Sequence, residues 1–285
     1  MTGTEGIQYN DAEEGRRFRP LGERMFCMNG NGLSAEQKER YSRQIRMPEI
    51  GEAGQAKLLA SKVLIIGAGG LGSPAALYLA AAGVGTVGIA DGDRVELSNL
   101  QRQILHGSSD IGREKAASAA DAMQRLDPEL YAVSYELTAD EENLPDLLAE
   151  YDFVLDCTDR HETKLLISDA CVRAGKPLCT GSVAGFYGQV MTRVPGDGPC
   201  YRCIFGNAPA GPALDAKENG VLGAAAGIIG CIMAAEAVKY LTGAGELLTG
   251  SLLTCDLSEM RFEKIPMKRD RNCPACGKTN TEAEE

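Results

Sequence analysis

Apolar residues along this chain come in two rhythms. Val63 to Ile66, Thr86 to Ala90, Ala132 to Leu137, "FVLD" (153 to 156) and "PLCT" (177 to 180) are short apolar runs of the kind that form buried parallel strands. Between them, Gly72 to Ala82, Arg113 to Leu126, Leu144 to Glu150 and Glu162 to Ala174 read as helices. Strands alternating with helices predict an α/β fold on a Rossmann-like, doubly wound, mostly parallel sheet. The last third changes character. "FYGQVMTRV" (186 to 194), "SLLTCDL" (251 to 257) and "RFEKI" (261 to 265) read as antiparallel strands extending the sheet, separated by a long small-residue helix from Val221 to Leu241.

Residues 1 to 33 are polar, close on "MNGNG" and show neither period, which predicts an irregular arm. Ser34 in "SAEQKERYSRQI" is placed to cap a helix, with acid and glutamine in the first turn. One continuous domain is expected over 34–277, with a polar tail over 278–285. Composition adds little: 285 residues with 44% hydrophobic and 24% charged side chains suit an ordinary globular core. No apolar run looks long enough to cross a bilayer and the N-terminus lacks the hydrophobic stretch of a signal peptide. The expectation is a cytoplasmic protein without widespread disulfides. A net charge of −11 argues against a nucleic-acid or membrane surface and leaves room for a local basic pocket.

The chemistry begins at "VLIIGAGGLGSPAALYLAAAGVGTVGIADGD", residues 63 to 93. Gly67, Gly69 and Gly72 follow a strand and open a helix whose N-terminus would face a phosphate, and Asp91, about 20 residues on, can accept from ribose hydroxyls. The glycines report a tight turn and close backbone approach. They do not choose between NAD, which would make the chain an NAD-dependent oxidoreductase, and another nucleotide.

Four of the ten cysteines form two hooks, "CYRC" (Cys200, Cys203) and "CPAC" (Cys273, Cys276), the sulfur set of a closed, structural zinc site that would staple the C-terminal tail onto the domain. Of the other six, Cys157, Cys171, Cys179, Cys231 and Cys255 sit mostly in apolar elements, and Cys27, in the arm, is the one expected to be exposed. His106 and His161 read as structural or surface residues.

Further motifs narrow the nucleotide. "DGDRVELSNLQRQ" (91 to 103), "IGREKA" (111 to 116), "LDCTD" (155 to 159), "RYSRQI" (40 to 45), "GVLGAAAGIIG" (220 to 230) and the paired cysteines occur in order. With them the chain resembles the MoeB/ThiF family of adenylyltransferases, relatives of the ubiquitin-activating enzymes, from Ser34 to Gly277. The resemblance implies ATP and Mg2+ as cofactors and a ubiquitin-like sulfur carrier protein with a C-terminal Gly-Gly as the substrate. That carboxylate is activated as an acyl adenylate, for molybdopterin, thiamine or related biosynthesis. It gives Gly67, Gly69 and Gly70 the role of backbone cradle and Asp91 that of ribose ligand. Ser98, Asn99, Arg102 and Lys115 match nucleotide and phosphate contacts, and Asp159 matches the magnesium ligand. Arg43 matches an arginine that reaches the γ-phosphate from the other subunit of a homodimer. The small-residue face of the Val221 to Leu241 helix is a second reason to expect that dimer.

Two departures matter. Arg160 stands where the family usually has asparagine, and Ala216 where several members carry a cysteine in the crossover loop. The expectation is therefore an enzyme that stops at the acyl adenylate and leaves sulfur delivery to a separate donor, such as a cysteine desulfurase or rhodanese. A scaffold that keeps the fold and has lost the chemistry is the non-enzymatic alternative.

Overall fold

A computed structural model describes residues 32–206 and 220–277. Ser34 caps the first helix as the sequence implies: its Oγ accepts from Gln37 N at 3.1 Å while its own N–H donates to Gln37 Oε1 at 3.0 Å. Three short helices, α1 (Ala35–Arg40), α2 (Ser42–Ile45) and α3 (Gly51–Ala60), lead into β1 (Lys62–Ile66). There follow α4 (Gly72–Ala82), β2 (Thr86–Ala90), α5 (Lys115–Leu126), β3 (Tyr131–Tyr135), α6 (Leu144–Ala149), β4 (Phe153–Asp156) and α7 (His161–Arg173). The chain continues through β5 (Leu178–Ala184), β6 (Tyr187–Arg193), α8 (Tyr201–Phe205), α9 (Gly223–Thr242), β7 (Ser251–Asp256) and β8 (Arg261–Pro266).

The eight strands form one sheet in the order β3-β2-β1-β4-β5-β6-β7-β8. The first five are parallel, and β5 through β8 pair antiparallel. Chain order reverses between β1 and β4, so their carboxyl ends open the crevice where such sheets bind ligands. α4 and α9 pack on one face with Leu79, Ile229 and Met233 fully buried, while α6 and α7 cover the other with Leu144, Leu148 and Ile167.

Several expectations need correction. The helix placed from Arg113 begins at Lys115, because Arg113 is drawn into ion pairs with Asp110 and Asp121. α9 is long and apolar enough, at 20 residues, to cross a bilayer, contrary to the sequence expectation. It lies instead in the core and carries Glu236, which is 1% exposed and accepts from Thr192 Oγ1 and Leu248 N. Its small residues lie on both sides: a Cβ at Gly230 would collide with the Leu71 carbonyl and Pro74 of α4, whereas Gly227 has open space beside it and Ala224 and Ala235 are exposed. Leu33, placed at the end of the arm, is buried against Tyr41 and Leu59. The rest of the arm with Cys27, the crossover position Ala216 and the 278–285 tail lie outside the described residues.

Candidate nucleotide site and metal centre

The loop leaving β1 is built around glycine. Gly67 has φ +102, and a Cβ on it would sit 2.8 Å from the Cys157 carbonyl oxygen, while one on Gly72 would collide with the Gly67 carbonyl. A larger residue at Gly67 would push the loop off the Cys157 turn, and one at Gly72 would break the loop from within. The same contact lays the loop against the Cys157 to Asp159 turn across the switch point. The turn itself is held by Asp156, whose Oδ1 accepts from Thr158 N and Oγ1 at 3.1 and 2.7 Å. Asp159, three residues beyond the end of β4 at Asp156, is exposed, and its carboxylate has no hydrogen-bond or ion-pair partner among the described residues.

Asp91 ends β2 and tightens the loop. Its Oδ2 accepts from Ala68 N at 2.8 Å and its Oδ1 from Asp93 N at 2.9 Å. Burial raises its pKa above the ordinary carboxylate value, against the pull of the Asp93 N–H, the Lys115 charge and the Ala68 N–H. Lys115 is buried to its ammonium, which pairs with Asp93 at 2.9 Å. Arg102 packs on Gly70, where a Cβ would meet its Cγ at 3.4 Å, and its Nη1 donates to the Ser98 carbonyl at 3.1 Å. Asn99 is buried and works within the loop: its Oδ1 accepts from Glu96 N at 3.1 Å. Ser98 is exposed and donates to Glu96 Oε2.

The predicted residues thus fall into two groups. Gly67, Gly69, Gly70, Asp91, Ser98, Asn99, Arg102, Lys115 and Asp159 surround the loop at the carboxyl ends of β1, β2 and β4. Arg43 does not join them. It is exposed, its guanidinium has no partner among the described residues, and the neighbouring Gln44 donates to Ala82 O at the far end of α4. An 11-residue helix spans about 16 Å, so Arg43 of the same chain stands roughly that far from the loop. Sequence reasoning missed Gln103. It is 4% exposed, its Nε2 lies 3.6 Å from where a Gly69 Cβ would be, and its Oε1 is buried without a partner, as is Ser73 Oγ at the start of α4. Its place directly after Arg102 in "SNLQRQ" was the available signal.

The cysteine hooks meet. Cys200, Cys203, Cys273 and Cys276 place their sulfurs within 4.8 Å of one another, with Cys200 to Cys273 at 3.6 Å, Cys200 to Cys203 at 3.7 Å and Cys203 to Cys276 at 3.3 Å. Four sulfurs about 2.3 Å from a zinc ion would stand about 3.8 Å apart, so the cluster is compatible with one. Burial pushes the Cys200 thiol up, and Cys203 up to about 11. Burial also opposes ionisation of Cys276, but hydrogen bonds from Cys203 and Cys200 win and lower it. The cluster leans on α7 through Val172, and the first hook is tied there by the Arg202–Asp169 ion pair at 2.6 Å. The remaining described cysteines are raised by burial, with Cys157, Cys171 and Cys179 buried and Cys231 half-exposed.

A family model described as the ThiF family matches residues 41–275. The chain belongs to the ThiF family. Among relatives of this ThiF-family chain, the SAMP-activating enzyme E1 of Haloferax volcanii is 45% identical over 254 residues, covering 89% of this chain and 94% of that protein. The sulfur carrier protein adenylyltransferase of Thermus thermophilus is 42% identical, covering 87% and 94%. The adenylyltransferase and sulfurtransferase MOCS3 of Bos taurus is 45% identical over 87% of this chain, which spans only 55% of it. In fold, E. coli MccB solved with ATP superposes with a TM-score of 0.74 at 22% identity, covering 86% of this chain and 77% of that one.

Proposed function

We infer that this chain is an ATP-dependent adenylyltransferase that activates the C-terminal glycine carboxylate of a small ubiquitin-like sulfur carrier. The observation that carries the reading is the convergence of Asp91, Arg102, Lys115 and Asp159 on one glycine loop, in a chain 42–45% identical to enzymes named for that activity. Asp91 holds the ribose, while the loop N–H groups and the α4 N-terminus face the phosphates. Arg102 and Lys115 balance charge as a carboxylate oxygen of the carrier bonds to the α-phosphorus and the bond to the leaving pyrophosphate breaks. The carboxylate is already ionised, so no general base is required. Lys115 exchanges Asp93 for phosphate. Asp159 would hold Mg2+, which when bound supplies positive charge at the phosphate oxygens.

Arg43 acts in trans within a homodimer: its distance from its own loop and a guanidinium without a partner among the described residues support that arrangement. The four-cysteine cluster holds structural zinc, whose thiolates require the reducing conditions of a cytoplasm. The product is handed to a separate sulfur donor. The oxidoreductase alternative finds no support among the relatives, and neither His106, with both ring nitrogens engaged, nor Lys115, paired with Asp93, is free to serve as its proton donor. ATP–pyrophosphate exchange with diglycine-ended carriers tests the proposal, and absence of exchange with every such carrier refutes it.

A further inference from the structure

His106 lies between the SNLQR loop and α5, only 6% exposed, and uses both ring nitrogens. Nδ1 is 2.9 Å from Ser118 Oγ on α5, and Nε2 is 3.1 Å from the Ala68 carbonyl oxygen in the glycine loop. A carbonyl only accepts, so the proton of the neutral ring sits on Nε2, and Nδ1 accepts from the Ser118 hydroxyl. Burial and the Lys115 charge favour that neutral ring, while the bond to the Ala68 carbonyl and the charges of Asp110 and Asp91 oppose them.

Ala68 is thereby held from two sides, its N–H by Asp91 and its C=O by His106. Glycine flanks it on both sides, so the peptide between residues 68 and 69 would otherwise turn over at little cost. In a trans peptide the Ala68 C=O and the Gly69 N–H lie in one plane and point opposite ways. Holding the carbonyl against His106 therefore turns the Gly69 N–H away from the ring. That N–H has no partner among the described residues, and it stands at the mouth of α4 beside Gln103, whose Oε1 is also unpartnered. With the peptide turned over, a carbonyl oxygen would face the same place and repel an anion.

We propose that His106 is a positioning residue for adenylation: its Nε2–H holds the Ala68 carbonyl so that the Gly69 N–H is aimed at the ATP phosphates. The proposal rests on the reading of the glycine loop as an ATP site. Glutamine places its Nε2 where the histidine Nε2 stands, whereas asparagine reaches only as far as Nδ1. H106Q should keep the KM for ATP within about threefold of the native value, and H106N should raise it about tenfold, the effect of one unmade hydrogen bond at a buried acceptor. The KM for the carrier should stay within about twofold in both, since a role in packing would not separate the two substrates.

Both variants are compared in pyrophosphate exchange well below their melting temperatures. Equal KM values for ATP in the two variants, whether both native-like or both impaired, would overturn the proposal. A second measurement does not need activity: the chain has 2 histidines, so nitrogen-15 histidine spectra of the native protein and an H161Q control assign His106. A protonated Nε2 is expected, and an Nε2 without a proton overturns the proposal. Absence of exchange in the native protein would instead refute the ATP site, while the spectra still report the bond to Ala68.

Discussion

Cys273→Ser removes one ligand from a cluster that ties two distant parts of the chain together. Cys200 and Cys273 are 73 residues apart in sequence, and the hook at 273 to 276 has little other hold on the domain: Asp270 N donates to Cys203 Sγ at 3.4 Å and Met267 packs beside Tyr201 and Leu252. Treating the metal as a cross-link that closes a 73-residue loop gives a loss of about 4 kcal/mol of denatured-state constraint when it is removed. For a domain of this size that corresponds to a fall in Tm of about 8 to 16 °C. Cysteine also leaves a buried polar serine with fewer partners, so the lower figure is a floor. The assay is calorimetric unfolding of the native protein, the native protein with a strong chelator, and the variant, with zinc measured by elemental analysis in each. The native protein should carry one zinc per chain, and chelator and substitution should lower Tm by similar amounts. A zinc-free native protein whose Tm ignores both the chelator and the substitution would refute the reasoning.

Other outcomes follow from the site. Asp159→Ala should lower pyrophosphate exchange at least a hundredfold while leaving Tm within about 1 to 2 °C, because the side chain is exposed and has no partner to lose among the described residues; denaturation and exchange are read on the same sample. Gly72→Ala should destabilise by about 3 kcal/mol or more in urea unfolding, since its Cβ would be driven into the Gly67 carbonyl. Asp93→Asn should change stability by less than about 1 kcal/mol, because Asp93 is 76% exposed, and should tighten ATP binding and raise its salt dependence measured by calorimetry, since the carboxylate that competes with phosphate for Lys115 is gone. The His106 pKa is lowered by burial, so the folded protein binds fewer protons there than the unfolded chain. The stability this contributes is present above the ordinary histidine value near 6.5 and is lost as pH falls through it toward the folded value; urea unfolding from pH 7.5 to 5.5 should show that slope, and H106Q should flatten it.

Much of this was legible because the hydrophobic pattern carried it. The parallel strands are continuous apolar runs and the late strands alternate, so both halves of the sheet could be read directly. α3 was not visible: "GEAGQAKLLA" has two glycines and no clear apolar stripe, and it forms a helix because Leu58, Leu59 and Gln55 are buried against neighbouring elements. The small residues of α9 were visible but their partners were not, since glycine and alanine permit close packing on any surface and only the structure shows that α4 takes the side around Gly230. The cysteine pairs had a spacing that metal chemistry demands, and they converge. Gln103 was missed, and His106 was read only as a structural or surface residue, for a different reason: a buried polar side chain has no periodic signature, and what it holds depends on the groups it faces. Arg43 was placed by resemblance alone, and its distance from the loop of its own chain gives that placement physical content.

The central claim is that the glycine loop serves ATP and a carrier carboxylate. Incubating the native protein with ATP, Mg2+ and a diglycine-ended carrier, with radiolabelled pyrophosphate, tests it most directly. Label should enter ATP only when the carrier is present and its final glycine carboxylate is free, and Lys115→Met should abolish the exchange. Binding of NADH by the native protein, with no label entering ATP under any carrier, would contradict the account.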